Sequence, residues 1–329
     1  MPKKIRVIQY GLGPIGSAVA LLINKRPALE LVGGVDIDPD KVGRDVGKVI
    51  GLNHQIGVPV VEKLSQVSSE ADIVAHTTSS FFVLFKDQIL EILDSGYDIV
   101  STSEELSFPW LEHVEEAAEI DFVAKATGKT VLSTGVNPGF LMDSLPLNLT
   151  AICEQVDRID VTRVINASER RGPFQAKIGT GMTVADFKTK MAEGHMGHVG
   201  LPESTGMVFD TLGKELVRYE DYVEPIMAER SIKTDYFSIQ EGEVRGLKQI
   251  ARGFSEDGEF LTLTFIAALD EENDGDTINI SGKPNLEVHI RGTNGDIATV
   301  AITVNAIRRV INASPGLITM RDLPIITSL

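Results

Sequence analysis

The chain reads Ile5-Arg-Val-Ile-Gln9, then Tyr10, then Gly11-Leu12-Gly13-Pro14-Ile15-Gly16. A short apolar strand therefore runs into a full G-x-G-x-x-G, and a helical pattern follows over Ile15 to Lys25. A second apolar run, Leu29 to Asp36, ends on an acid 20 residues beyond Gly16. Strand, glycine turn, helix and acid in this order form the fingerprint of a dinucleotide-binding βαβ unit. Each residue has a distinct role. Gly11 permits the tight turn, Gly13 lets backbone amides approach a pyrophosphate, and Gly16 lets the helix pack closely on the strand. Leu12, Pro14 and Ile15 complete the turn, and the helix N-terminus supplies partial positive charge. Asp36 is placed to accept hydrogen bonds from the adenosine ribose, and it would repel a 2′-phosphate. NAD is accordingly the preferred cofactor and NADP the alternative, with Arg44 near enough in sequence to be recruited for a phosphate.

Outward from this turn the alternation continues. Strands are predicted at Ala71 to Ala75, Tyr97 to Thr102 and Thr130 to Ser133. Helical patterns fall at Phe82 to Leu93 and Trp110 to Lys125, the latter with Leu111, Val114, Ala118 and Val123 as its buried stripe. From about residue 155 the texture changes to period-2 strands such as Leu261 to Phe265 and Leu286 to Arg291, with helical stretches near Thr183 to Met191 and Gly206 to Val217. Asp296 to Ile311 again carries a helical stripe. The fold class is α/β: an N-terminal Rossmann doubly wound parallel sheet, plus an α+β domain with a largely antiparallel or mixed open sheet. Domains are expected at 1–135 (dinucleotide binding) and 136–300 (substrate binding and dimerisation), with 301–329 returning to the first domain.

Composition narrows the partners. The chain has 329 residues, 31 Lys and Arg against 47 Asp and Glu, and a net charge of −16. No basic run could track a row of phosphates, so neither nucleic acid nor an anionic membrane surface is expected as a partner. No apolar stretch reaches membrane-span length, and no signal core follows Lys3 and Lys4. One cysteine, Cys153, excludes an intrachain disulfide and a cysteine-based metal site, and it suits a reducing cytoplasm. The six histidines form no ligand-spaced cluster, so no metal is expected.

Ligands of open parallel sheets lie beyond the carboxyl ends of the strands, and three such ends are polar here. They are Thr77-Thr78-Ser79-Ser80, Ser101-Thr102-Ser103-Glu104-Glu105 and Ser133-Thr134-Gly135-Val136-Asn137-Pro138-Gly139. Capping of the following helix explains any one of them equally well. Three in succession favour a ligand, with Thr77, Thr78, Ser79, Ser101 and Thr102 as cofactor contacts.

Four stretches, Ser101–Trp110 (STSEELSFPW), Ser133–Phe140 (STGVNPGF), Gly172–Gly181 (GPFQAKIGTG) and Gly197–Ser204 (GHVGLPES), resemble the 2,4-diaminopentanoate dehydrogenase family and the related native amine dehydrogenases, whose fold is like that of dihydrodipicolinate reductase. The resemblance runs nearly end to end, through Ser314–Pro324. It implies oxidation of an amine-bearing carbon by a nicotinamide cofactor, hydrolysis of the iminium, and release of a ketone and ammonia, with reductive amination as the reverse. It also implies a homodimer built through the second domain's sheet. Dihydrodipicolinate reductase itself carries a His-His pair and a lysine before a Pro-Ser-Gly-Thr turn. This chain has Glu169-Arg170-Arg171 and then Lys177 to Gly181, which argues against that cyclic imine.

The resemblance places the acid-base residue at Glu104. The chemistry needs a carboxylate there, because hydride removal requires a neutral amine and water addition to the iminium requires a proton relay. Glu105 competes by adjacency, and a solvated loop would account for either. Asn137 and Pro138 are implied beside the nicotinamide, and Phe140 as an apolar wall or else a core residue. In the second domain Arg170, Arg171, Gln175 and Lys177 would hold the carboxylate and α-amine of a diamino acid, or else form a solvated surface loop. His198 and His289 are further pocket candidates. The expected reaction is oxidative deamination at C4 of 2,4-diaminopentanoate. Other short-chain amines or ketones are the alternative substrates, and a dinucleotide-binding sensor without catalysis is the alternative class.

Overall fold

A computed structural model of the chain describes residues 3–194 and 196–328. The chain divides into two compact units, one made of residues 1–140 and 294–329, the other of residues 141–293.

The first unit begins with β1 (Ile5–Tyr10), α1 (Pro14–Lys25), β2 (Leu29–Val35), α2 (Val46–Val49) and β3 (Val60–Val61). It continues with β4 (Ile73–His76), α3 (Phe82–Asp94), β5 (Asp98–Ser101), α4 (Val114–Thr127) and β6 (Thr130–Ser133). The second unit follows with α5 (Ser144–Thr150), β7 (Gln155–Asn166), α6 (Gly172–Lys177), α7 (Val184–Ala192), α8 (Leu201–Thr211), β8 (Arg218–Met227), β9 (Ile232–Lys233), β10 (Ser238–Ile239), β11 (Val244–Ser255), β12 (Gly258–Ala268), β13 (Gly275–Lys283) and β14 (Leu286–Ile290). The chain returns to the first unit as α9 (Gly295–Val310) and β15 (Gly316–Ile318).

The first sheet has seven parallel strands in the order β15-β6-β5-β4-β1-β2-β3. The strands are buried on both faces, which is why they read as continuous apolar runs. Val19 and Ile23 of α1 pack with Val304 and Ile307 of α9 on one face, and Phe85 and Ile89 of α3 with Ile120 of α4 on the other. The strand order reverses between β1 and β4, and the glycine turn leaves β1 there, at the crevice where doubly wound sheets bind ligands.

The second unit's sheet has six strands in the order β14-β13-β7-β12-β11-β8. It is mixed, because β7 and β12 run parallel while the other pairs are antiparallel. Burial alternates along β7 and β12: Ile159, Val161, Leu261 and Leu263 are buried, while Asp160, Thr162, Thr262 and Thr264 are half-buried. One face is thus closed by its own unit and the other is more open.

Two helices differ from the sequence expectation. In α4 the buried stripe is Ala117, Ile120 and Ala124, whereas Leu111 and Val114 are exposed. Leu111 precedes the helix, which starts only at Val114, so the expected stripe counted turn residues into the helical phase. In α8 the helix begins at Leu201 and ends at Thr211, not at Gly206 to Val217. Eight of its eleven residues are buried, so no amphipathic phase marks its start. It closes where Gly213 takes φ +65°, with Lys214 N–H donating to the Phe209 carbonyl. Among the described residues no helix is long and apolar enough to cross a membrane.

Candidate active site

The turn after β1 is shaped by its glycines. Gly11 takes φ +85°, and a Cβ there would stand 2.5 Å from the Thr77 carbonyl oxygen. A Cβ on Gly16 would stand 2.0 Å from the Gly11 carbonyl oxygen and 2.3 Å from Thr77 Oγ1. The turn is locked from below: Gln9 Nε2 donates to Thr77 Oγ1 and to the Gly11 carbonyl, and Thr77 Oγ1 donates to the same carbonyl. Gly13 is different. Its φ is −65°, and among the described residues no atom beyond its own chain neighbours lies within 4 Å of the Cβ position. Neither its backbone nor its neighbours require glycine, whereas close approach of a ligand to the backbone does. Gly13 is also the N-cap of α1 and Pro14 its first residue, with no side chain capping the helix. The helix start without a side-chain cap fits a dinucleotide pyrophosphate.

Asp36 stands against this turn. Its Oδ2 accepts the Leu12 N–H at 2.7 Å and its Oδ1 the Asp38 N–H at 2.8 Å, while the Leu12 side chain is core. Sequence reasoning missed Lys41, whose Nζ lies 3.3 Å from Asp36 Oδ2 and 3.1 Å from Asp38 Oδ2. Partial burial works against its charge, but pairing with the two aspartates outweighs this and holds the ammonium above the ordinary lysine range. Arg44, the cation singled out from sequence, instead donates to the Asp40 carbonyl.

The carboxyl ends of β4, β5 and β6 hold the three polar clusters. Thr77 serves the glycine turn. Thr78 Oγ1 donates to Gln88 Oε1, and Ser79 Oγ accepts the Phe81 N–H. Ser101 is fully buried, with its hydroxyl against His76 Nδ1, and Thr102 N–H donates to the His76 carbonyl. Beyond β5 the chain makes a single 3-10 turn, Glu104–Leu106, with Glu104 half-buried on it. Its neighbour Glu105 is committed elsewhere, since its Oε2 accepts the Phe82 N–H at the start of α3 and lies 3.4 Å from His113 Nε2. Glu105 is thus a helix cap supplied from a distant loop. Asn137 and Pro138, joined by a cis peptide, are in the turn after β6, and Phe140 ends this unit with 37% of its surface exposed.

In the second unit the expected substrate residues lie at α6, on the loop before α8 and on the edge strand β14. Arg171 is the N-cap of α6. Gln175 is wholly buried, with Nε2 shared among the carbonyls of Ala167, Ser168 and Arg170 and Oε1 accepting from Thr234. Its amide braces the loop before α6. His198 stacks on Phe265 with ring centroids 4.7 Å apart, and its backbone N–H donates to Gln249 Oε1. His289 is exposed on the edge strand β14, against Thr277 and Glu287. Thr277 pairs with Thr162, next to Arg163, which pairs with Phe265. Alternation therefore puts the two histidines on opposite faces of the sheet.

Between them on the covered face lies a pair the sequence reading overlooked. Arg163 Nη1 donates to Asp276 Oδ1 at 3.0 Å, with both side chains 3% exposed. Burial works against both charges, lowering the arginine's pKa and raising the aspartate's. The signal was available: Arg163 occupies the apolar phase of β7, between Val161 and Ile165. Among the described residues no group of three or more His, Cys, Asp or Glu converges to hold a metal.

Residues 140–329 match the 2,4-diaminopentanoate dehydrogenase C-terminal domain, and residues 5–100 the N-terminal domain of dihydrodipicolinate reductase. The chain is 35% identical to the 2,4-diaminopentanoate dehydrogenase of Acetoanaerobium sticklandii, over 98% of this chain and 94% of that protein. It is 23% identical to the amine dehydrogenase of Streptomyces virginiae, over 98% and 96% respectively. The solved amine dehydrogenase of Mycobacterium smegmatis superposes with a TM-score of 0.86 at 26% identity, covering 100% of this chain and 98% of that one.

Proposed function

The chain belongs to the 2,4-diaminopentanoate dehydrogenase family, an NAD(P)-dependent oxidoreductase acting on amines, and from that membership we propose that its substrate is 2,4-diaminopentanoate, oxidised at C4. The products are 2-amino-4-oxopentanoate and ammonia, and reductive amination of the ketone is the reverse. The observation that carries this reading is the half-buried residue Glu104, on the turn leaving β5 of the same sheet that holds the uncapped glycine turn.

A nicotinamide cofactor bound here would supply the acceptor for the hydride of the amine-bearing carbon. The glycine turn and the first amides of α1 hold its pyrophosphate, and Asp36 holds the adenosine ribose, which supports NAD as the preferred form. Glu104 removes the proton that otherwise keeps the substrate amine an ammonium. It passes that proton to solvent, and the regenerated carboxylate favours the cationic iminium, takes a proton from the water that adds to that carbon, and returns it to the nitrogen, which leaves as ammonia as the carbonyl forms. Asn137 and Pro138 would border the nicotinamide, and Phe140 would supply an apolar wall. Arg170 and Arg171 receive the substrate carboxylate. A cytoplasmic homodimer through the six-stranded sheet is supported by the half-buried positions of its open face and by the single cysteine.

Internal use of the Gln175 amide favours a second reading, a simple short-chain amine as substrate, because it removes one partner for a polar distal end. The test is NADH formation on adding 2,4-diaminopentanoate to the purified protein with NAD at alkaline pH, with a simple chiral amine alongside. Turnover of the diamino acid well above the simple amine supports the proposal. Turnover of the simple amine alone replaces the substrate, and retention of full turnover by Glu104→Gln removes the role given to Glu104.

A further inference from the structure

Behind the turn that carries Glu104 lies a buried histidine that the reaction itself does not use. His76 ends β4 with no exposed surface, and both its ring nitrogens are engaged. Nδ1 lies 3.0 Å from Ser101 Oγ, and Nε2 lies 2.9 Å from Gln88 Oε1 and 3.0 Å from Thr78 Oγ1. The direction of these bonds follows from the partners. Gln88 donates through Nε2 to the Leu84 carbonyl, which turns its acceptor Oε1 toward the imidazole. Nε2 of His76 must therefore carry the hydrogen, and Nδ1 is left as an acceptor for the Ser101 hydroxyl. Complete burial pushes the imidazole pKa down to about 4, which keeps this neutral tautomer in place at ordinary pH.

The Ser101 hydroxyl, having donated to His76, accepts the N–H of Ser103 at 3.1 Å. The Ser103 carbonyl in turn accepts the Ser133 hydroxyl at 2.6 Å. Both backbone groups of the residue preceding Glu104 are thus tied to buried side chains. One of the two ties runs in a single direction, from Ser103 N–H through Ser101 and His76 to Gln88 on α3.

We propose that His76 is a positioning residue for the reaction: through Ser101 and Ser103 it fixes the backbone from which the Glu104 carboxylate projects. The inference rests on Glu104 as the acid-base group. A neutral imidazole suits this role because it is rigid, donates at one end and accepts at the other, so every hydroxyl in the chain has one orientation. A shift of the Glu104 backbone of the order of 1 Å would cost proton transfer geometry while leaving the cofactor cradle untouched.

The test compares His76→Phe, His76→Asn, Ser101→Ala and the double variant His76→Phe/Ser101→Ala with the parent and with Glu104→Gln. Amine oxidation is measured with NAD, NADH affinity by fluorescence titration, and Tm as the control for folding. His76→Phe and Ser101→Ala are each expected to lower kcat by roughly 10- to 100-fold. NADH affinity and the amine KM stay within about threefold. The double variant is expected to be no worse than the poorer single one, since both break one chain. His76→Asn, which can still offer a donor and an acceptor, is expected to recover part of kcat. If Ser101→Ala, the mildest change, keeps kcat within twofold, or if losses in the single variants multiply in the double, the proposal is overturned. If Glu104→Gln turns over normally, it is the reading of Glu104 that fails, whatever the His76 variants do.

Discussion

The ammonium of Lys41 bridges the carboxylates of Asp36 and Asp38, 3.3 Å and 3.1 Å away, at the edge of the glycine turn. An acid at this place favours a ribose diol over a 2′-phosphate, and a cation beside it offsets that preference. Lys41→Ala is therefore expected to weaken NADP binding about five- to tenfold, the effect of one partly screened phosphate contact, with NAD affinity changed less than twofold. Parallel fluorescence titrations with NADH and NADPH check this. Equal losses for both would assign Lys41 to the loop's stability instead.

Gly13 and Gly16 separate a ligand's demand from the fold's. Gly13→Ala meets no atom of the described residues beyond its chain neighbours within 4 Å and needs no unusual backbone, so Tm is expected to hold within about 2 °C while dinucleotide affinity falls. Gly16→Ala drives a methyl group to 2.0 Å from the Gly11 carbonyl and is expected to unfold the first unit or lower its Tm steeply. Thermal melts with and without NAD distinguish the two.

The adjacent glutamates divide in the same way. Glu105→Gln loses the charge at the start of α3, at an expected cost of about 1 kcal/mol or about 2–4 °C in Tm, with kcat within threefold. Glu104→Gln is expected to leave Tm unchanged and to lower kcat by roughly 10²- to 10⁴-fold. Steady-state rates and melts on the two variants read both quantities.

His76 also leaves a mark on pH stability. Its pKa falls from 6.5 to about 4 on folding, so the unfolded chain binds a proton that the folded one refuses. Its contribution is complete above pH 6.5 and is lost as pH falls toward 4, by about 3 kcal/mol in all. His76→Asn has no such proton. Its urea-unfolding free energy is expected to lack that part of the decline between pH 6.5 and 4.5, and parallel curves for parent and variant would contradict the assignment.

What could be read from the sequence follows from how local the governing physics is. The glycine turn, its helix and the closing acid lie within one βαβ unit, so spacing alone placed them. The bounds of α4 depended on where the chain stops turning after Pro109, and those of α8 on a helix buried nearly all round. Neither leaves a clean period in the residues. Glu104 and Glu105 are indistinguishable by adjacency, because the N–H that claims Glu105 belongs to Phe82, 23 residues earlier. His76 sits in an apolar strand, and only its partners on α3 and β5 give it a role. Arg163 could have been noticed, since a cation in the buried phase of an alternating strand needs an anion opposite, here Asp276.

The return of the chain through α9 bears on how the protein is made. Val304 and Ile307 complete the core over Val19 and Ile23, yet they leave the ribosome only after residues 141–293 have been synthesised. At roughly 5–20 residues per second, one face of the first sheet lacks its α9 cover for about 8–30 s while the inserted unit emerges. The inserted unit, contiguous in sequence, has all its strands in hand before that face is closed. Nascent chains halted before residue 294 would thus present the α1 side of the sheet to chaperones, and chains released after residue 318 would not.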